Sequence, residues 1–325
     1  MANVRLAVIG CGSMGKLHVK VMDDFEDVDL VAVCDPVEES REAAGNQHNV
    51  MGRYASSEEM FDQEDLDAVV VATPAVLNAK VALPCLERGI DTLLEKPPGL
   101  SAAETRGLRD VAAKTGAKGM VGWDRRFNPY VTWACERVRA RGPVTQMTGE
   151  FHKNIVGQES QGRFPEDLLD NYIWESPIHA IDLVRGLAES DVAEVQSIVR
   201  RSITPYKDVH AATVLFESGC IASLIFNLTT GNRRESYEIH GDGISAYLEG
   251  INQGTIYVDK KPETRKIENR SDAKTNSTSI QDRFFIDCVK EDRPIIFPAA
   301  NLDEAVKTME LCEAILSKGA AHRSS

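Results

Sequence analysis

Three glycines between an apolar run and an amphipathic one constrain this chain more than any other feature. Val4-Arg5-Leu6-Ala7-Val8-Ile9 has the composition of a buried strand and stops at Gly10-Cys11-Gly12-Ser13-Met14-Gly15, which reads G-x-G-x-x-G. Lys16, Leu17, Val19, Val21 and Met22 then follow at helical spacing. The glycine pattern alone is a weak signal. Its context, a strand before and a helix after, is what a dinucleotide site requires. Glycines there permit a tight turn and let backbone approach a pyrophosphate, which sits at the positive end of the helix. The next strand, Val28 to Cys34, ends at Asp35, twenty residues past Gly15. That is the separation expected of an acid that accepts hydrogen bonds from an adenosine ribose. A plain strand-end turn before Pro36 is the alternative, and the spacing favours the ribose. A carboxylate there repels a 2′-phosphate, so NAD is favoured; Arg41, six residues on, keeps NADP open.

The pattern then repeats. A helix is expected from Glu38 to His48, a connector through Tyr54, and a short helix opening at Ser57. The strand Ala68 to Ala72 ends at Thr73-Pro74, and a helix from about Leu77 stops before Gly89. Thr92-Leu93-Leu94 next delivers Glu95-Lys96-Pro97-Pro98, whose prolines remove two backbone donors and end the strand. Alternating strands and helices predict a doubly wound parallel sheet, whose ligands lie beyond the carboxyl ends of its strands. The glycine turn, Asp35, Thr73-Pro74 and Lys96 all fall on that rim. A lone lysine is usually a surface residue; the shared rim makes Lys96 a catalytic candidate.

From Trp123 the character changes. One helix ends at Gly142-Pro143, and seven β-like runs follow between Val144 and Val258, with a single helix, Pro177 to Gly186, after the first. Tight turns at Glu217-Ser218-Gly219-Cys220 and Gly241-Asp242-Gly243 predict a mostly antiparallel sheet. The expected organisation is a dinucleotide-binding domain over 1–122 and an α+β substrate domain over 123–325. Pro262 to Thr278 reads as a polar loop, and helices from Ile280 to Lys290 and Leu302 to Lys318 finish the chain.

Composition excludes several classes. A net charge of −13 argues against a nucleic-acid surface. The seven cysteines have no C-x-x-C pair, which speaks against a zinc ribbon or redox dithiol and for free thiols in a reducing compartment. No run approaches the ~18 apolar residues of a membrane span, and Val4 to Ile9 is too short for a signal-peptide core. A cytoplasmic protein with no metal and no membrane partner is expected.

Taken together, Gly10-Cys11-Gly12-Ser13-Met14-Gly15, Cys34-Asp35-Pro36, Ala72-Thr73-Pro74 and Glu95-Lys96-Pro97 resemble the Gfo/Idh/MocA oxidoreductases, the family of glucose–fructose oxidoreductase and inositol dehydrogenase. Arg125-Arg126-Phe127-Asn128-Pro129, His179-Ala180-Ile181-Asp182, Asp292-Arg293-Pro294 and Ser317-Lys318-Gly319 extend the resemblance essentially end to end. It implies an N-terminal Rossmann domain, a C-terminal open-faced sheet domain and hydride transfer between nicotinamide and a hydroxyl of a sugar, cyclitol or related polyol. It also implies a homodimer or homotetramer through that sheet. By position, Gly10, Gly12, Ser13, Met14, Gly15, Asp35, Thr73, Pro74, Glu95 and Lys96 fall to the cofactor, and Lys96 holds the reacting hydroxyl. His179 takes the acid/base role, Arg125 a substrate contact, and His152 and Asn154 offer polar groups to a sugar; the Arg125-Arg126 pair is either a substrate clamp or a solvated pair, with one side chain inward and one outward expected. A cis Lys96–Pro97 peptide is also implied.

Two departures stand out. The family's D-x-G-x-H has become Glu175-Ser176-Pro177-Ile178-His179, preceded by Trp174, and Asn78 stands where relatives often carry His. Glu175 could orient the imidazole, bind a hydroxyl or carry the proton itself. Trp174 is either core or a sugar platform, Asp182 either an orienter or a surface acid, and Tyr172 a back-up acid. Two other function classes fit the changed segment: an NAD-retaining glycosidase or lyase using transient oxidation, and a non-catalytic NAD- and sugar-binding regulator. Retention of both Lys96 and His179 speaks against the regulator.

Overall fold

The computed structural model describes residues 2–155, 164–265 and 273–318. In chain order, β1 (Val4–Ile9), α1 (Ser13–Asp23), β2 (Val28–Cys34), α2 (Glu38–His48), β3 (Gly52–Tyr54) and α3 (Ser57–Gln63) come first. They are followed by β4 (Ala68–Val71), α4 (Asn78–Glu87), β5 (Asp91–Glu95), α5 (Ala102–Thr115) and β6 (Gly119–Gly122). Then come α6 (Pro129–Arg139), β7 (Gln146–Asn154), α7 (Glu166–Asp170), α8 (Ile178–Ala188), β8 (Val192–Arg200), β9 (Val209–Phe216) and β10 (Ile221–Asn227). The chain continues with β11 (Thr229–Gly241), β12 (Ile244–Glu249), β13 (Gln253–Val258), β14 (Lys261–Thr264), α9 (Ala273–Lys290), β15 (Ala300–Asn301) and α10 (Leu302–Lys318).

The described residues divide into two compact units, Met1–Phe127 with Lys274–Val306, and Asn128–Ala273 with Lys307–Ser325. A single boundary after residue 122 misses this return. Phe285, Ile286 and Cys288 of α9 are buried in one core with Val8, Leu93 and Met120. Apolar burial, not chain order, decides the membership.

The sheet of the first unit has the order β15-β6-β5-β4-β1-β2-β3. Six strands are parallel and β15 closes the β6 edge antiparallel. The order reverses between β1 and β4, so the loops leaving their carboxyl ends diverge and open a crevice. β4, β5 and β6 are buried at every position, as parallel strands covered on both faces must be. Serines begin two of the helices: Ser56 and Ser101 accept from the backbone N–H groups of Glu59 and Glu104.

The second unit carries an eight-stranded sheet, β14-β13-β12-β11-β7-β10-β9-β8, antiparallel except for the β7–β10 pair. α8 packs directly over β7. A side chain at Gly149 would come within 3.1 Å of Val184 and 3.0 Å of Leu224. The opposite face is open. Ile198, Ala211 and Ile225 share one cross-strand row, and Leu215, Ile221 and Tyr257 lie on another, all exposed.

Three expectations change. The connector before Tyr54 contains β3, paired with Ala32–Cys34. Between Pro262 and Thr278, Lys261–Thr264 forms β14 against β13 and α9 begins at Ala273; residues 266–272, like Gly319, lie outside the described residues. Edge strands of two to four residues are too short to show a pattern, and a neighbour's free edge creates them.

Candidate active site

On the rim of the first unit, the three motif glycines have different reasons to be glycine. Gly10 has φ +96°, and a Cβ there would lie 2.4 Å from the Ala72 carbonyl oxygen. A Cβ on Gly15 would lie 1.7 Å from the Gly10 carbonyl oxygen. Both are demanded by the protein's own packing. Gly12, with an ordinary φ of −70°, would meet nothing within 4 Å. Its missing side chain leaves a cradle at the N-terminus of α1, which no side chain caps. Uncapped N–H groups beside open space suit a phosphate anion, so the residues present fit a dinucleotide.

Asp35 locks the base of that cradle. Its carboxylate accepts from Cys11 N (2.7 Å) and Val37 N (2.8 Å), which leaves lone pairs on both oxygens for further donors. Arg41 Nη1 donates to the Asp35 carbonyl at 3.3 Å. Burial and the Asp35 charge push the Cys11 thiol up to about 12, and burial likewise pushes Cys34 up to about 12. Neither is a thiolate nucleophile at neutral pH.

The turn bearing Lys96 is held from two directions. Fully buried Asn78 donates from Nδ2 to the carbonyls of Glu95 (3.0 Å) and Pro97 (2.9 Å), bracketing Lys96. Its Oδ1 accepts from Thr73 Oγ1 at 2.9 Å. One amide nitrogen carries two hydrogens and so clamps two carbonyls, which a single imidazole nitrogen cannot do. The Lys96–Pro97 peptide is cis. From the other side, Glu95 Oε2 accepts from Lys96 N at 3.2 Å, while Oε1 lies 3.3 Å from His18 Nε2. His18 Nδ1 is 2.7 Å from Asp282 Oδ2, and the imidazole is fully buried. Burial opposes charging of His18, yet the Asp282 charge and hydrogen bond, reinforced by Glu95, outweigh it and raise its pKa to about 10. A cation between two carboxylates thus sets the Glu95 rotamer. Neither His18 nor Asp282 is legible as a site residue in the sequence.

In the second unit, a 3-10 turn, Tyr172–Trp174, leads through Glu175 and Ser176 into α8, with Pro177 at its N-cap. Glu175 therefore lies outside the helix. His179 is 9% exposed in the first turn of α8. Trp174 is half-buried, and its Nε1–H is buried without a hydrogen-bond partner. Asp182 is fully buried and accepts from Thr308 Oγ1 at 3.0 Å, which removes its reading as a surface acid. In the first unit, both Arg125 and Arg126 are buried, correcting the expectation that one faces outward. Arg125 Nη1 donates to both Asp124 oxygens, at 2.8 and 2.9 Å, and the Arg126 guanidinium lies 5.8 Å from the Trp123 ring centroid.

Strand alternation puts His152 and Asn154 on the side of Thr148 and Glu150; His152 Nε2 is 3.9 Å from Glu150 Oε2. Lys153 instead shares the side of Phe151 and Gly149, over which α8 packs, and its Nζ donates to Tyr172 Oη at 3.1 Å. Ser176 Oγ is 3.3 Å from the same phenol oxygen and donates to Glu175 Oε2. Alternation with Phe151 was the available signal for Lys153.

Residues 4–123 match the oxidoreductase family with an NAD-binding Rossmann fold, and residues 139–246 match the Gfo/Idh/MocA C-terminal domain. The chain belongs to the Gfo/Idh/MocA family. It is 33% identical to the rhizopine catabolism protein MocA of Rhizobium meliloti over 141 residues, 43% of this chain and 44% of that protein. Inositol 2-dehydrogenase of Rhizobium meliloti strain 1021 is 26% identical over 251 residues, 73% of each chain. A dehydrogenase structure from Chromobacterium violaceum superposes with a TM-score of 0.87 at 20% identity, covering 98% of this chain and 96% of that one. As a Gfo/Idh/MocA member the protein is an NAD-binding oxidoreductase acting on CH–OH groups of a small molecule. Among the described residues no helix is long and apolar enough to cross a membrane, and no cluster of His, Cys, Asp and Glu could hold a metal ion.

Proposed function

We propose that this protein is a dehydrogenase of a cyclitol, sugar or sugar derivative, with Lys96, His179 and Glu175 as its catalytic residues and NAD preferred over NADP. The observation that carries the reading is the anchored Lys96 turn: Asn78 brackets it and Glu95 holds its N–H, on the rim that also bears the Gly12 cradle and Asp35. A lysine so constrained stabilises developing alkoxide charge on the reacting oxygen, or polarises the carbonyl in the reverse direction. NAD, when bound, supplies the hydride acceptor. His179 has the residue type suited to accept the hydroxyl proton, because an imidazole ordinarily titrates near working pH. Glu175, just outside α8, is the second proton-carrying group, and the buried Trp174 N–H is a donor suited to a sugar oxygen. Gly10, Gly12, Ser13, Met14, Gly15, Asp35, Thr73 and Pro74 form the cofactor rim, and Arg125 is a further substrate-contact candidate, whereas His152 and Asn154 lie on the side of β7 away from α8. Inositol dehydrogenases among the relatives support a polyol substrate. The exposed apolar rows of the second unit's sheet support a homo-oligomer formed by a second copy of the chain.

The test is a screen of inositols, aldoses and aminosugars with NAD, read by NADH absorbance, on wild type and Lys96→Ala. Turnover with at least one polyol is expected, abolished in Lys96→Ala, with NAD affinity within about threefold. Activity retained in that variant would defeat the assignment.

A further inference from the structure

The second unit holds a line of four side chains that the reading above uses at one end only. Lys153 Nζ is 3.1 Å from Tyr172 Oη, Tyr172 Oη is 3.3 Å from Ser176 Oγ, and Ser176 Oγ is bonded to Glu175 Oε2. We propose that Lys153, Tyr172 and Ser176 are a proton-delivery chain that recharges Glu175, one of the two proton-carrying groups, with His179, that serve the substrate oxygen. This rests on the dehydrogenase reading and adds the route by which its proton enters and leaves.

Donor counting gives the line a direction. An ammonium only donates, a carboxylate only accepts, and each hydroxyl has a single hydrogen. With a charged lysine and an ionised glutamate at the ends, one arrangement satisfies all three bonds: Lys153 donates to Tyr172, Tyr172 to Ser176, and Ser176 to Glu175. A buried phenol needs one partner to be satisfied. Tyr172 is fully buried and has at least two, one of them a cation, and that cation also lies 5.6 Å from its ring centroid. Ser176 is 8% exposed, whereas Lys153 and Glu175 at the two ends are half-buried, so the two hydroxyls form the water-poor middle of the line.

The step balances without any further reagent. In carbonyl reduction the hydride comes from the reduced cofactor that the oxidoreductase activity supplies, and the resulting alkoxide takes the Glu175 carboxyl proton. The carboxylate then takes the Ser176 hydroxyl proton, Ser176 takes that of Tyr172, and Tyr172 takes one from the Lys153 ammonium. Lys153 is reprotonated from solvent. Alcohol oxidation runs the same transfers backwards. Each proton crosses one hydrogen bond, and neither hydroxyl residue carries charge at rest. Lys153, Tyr172 and Ser176 act through Glu175; none is assigned contact with the substrate.

The experiment measures kcat and KM against pH, in H2O and D2O, with the polyol that wild type turns over. Tyr172→Phe keeps the ring and removes the relay hydroxyl. It should lower kcat by about 10²-fold, the scale of a lost acid–base function, with the polyol KM and NAD affinity within about twofold. Its kcat–pH profile should shift and its solvent isotope effect rise. Lys153→Met and Ser176→Ala should show the same split, and Ser176→Thr, which keeps a hydroxyl, should recover most of kcat. Should Tyr172→Phe fail to fold, Lys153→Met and Ser176→Ala decide the matter. A wild-type kcat and pH profile in these variants overturns the chain. If that happens while Lys96→Ala is inactive, the dehydrogenase reading survives alone. If wild type turns over no polyol with NAD, the reading falls and the chain with it.

Discussion

At Gly12 and Gly15 one motif serves two masters, and substitution should separate them. A methyl at Gly15 meets backbone at 1.7 Å, so Gly15→Ala should cost at least ~1–3 kcal/mol of stability. Gly12→Ala enters open space at an ordinary φ and should change stability by less than about 0.5 kcal/mol. It should nevertheless weaken NAD binding at least about tenfold, since the methyl fills the cradle. Thermal melts and NAD titration of both variants check this; a Gly12→Ala protein with unaltered NAD affinity would move the pyrophosphate elsewhere. Asp35→Ser removes the carboxylate that disfavours a 2′-phosphate, while Arg41 beside it persists. The ratio of NAD to NADP efficiency should fall about tenfold or more, since a charge-assisted hydrogen bond is worth ~1.5–3 kcal/mol. An unchanged ratio would place the ribose acid at another residue.

Helices and strands of the first unit meet at His18. α1 supplies the imidazole, α9 supplies Asp282, and β5 supplies Glu95. Removing the cation leaves two buried carboxylates uncompensated, so His18→Ala should cost ~3–5 kcal/mol. The pH dependence has a definite sign. The folded pKa, about 10, lies above the ordinary 6.5, so folding favours the imidazolium. Its stabilisation is complete below about pH 6.5 and is lost as pH rises through about 10. Denaturant titrations should therefore show the gap between wild type and His18→Gln narrowing from pH 6.5 to 10; a constant gap would show that His18 is neutral in the fold. In the second unit, the two-residue period of β7 separates Lys153 from His152 and Asn154. A strand offers neighbouring residues to opposite sides, so His152 and Asn154 share one side of β7 and Lys153 takes the α8 side.

For the molecule as a whole, the open face of the eight-stranded sheet is the feature on which the proposed homo-oligomer rests. Ile198, Ile221 and Ile225 are 65%, 45% and 40% exposed there, an apolar grouping unusual for a solvated sheet. Ile198→Asp with Ile225→Asp should convert the oligomer to a monomer in sedimentation experiments. Neither side chain faces the α8 side of the sheet, so far-UV dichroism should be retained. A wild-type protein that sediments as a monomer would remove the interface.

Much of this was decided locally. Apolar runs, the glycine turn, Asp35 and the proline-terminated strand at Lys96 are legible because neighbouring residues set backbone preference and periodicity sets which face is buried. Glu175 outside its helix was equally local, since proline favours the start of a helix and Pro177 stands at the N-cap of α8. Tertiary structure alone chose the partners. His18 meets Asp282 across 264 residues, and α9 joins the first core although the chain reaches it last. β3, β14 and β15 exist because another strand offered an unpaired edge. Lys153 reached Tyr172 because α8 seats over Gly149, and both buried arginines found carbonyl, carboxylate or aromatic neighbours. A buried polar group must be satisfied by whatever the fold brings opposite it, and no local pattern encodes that identity.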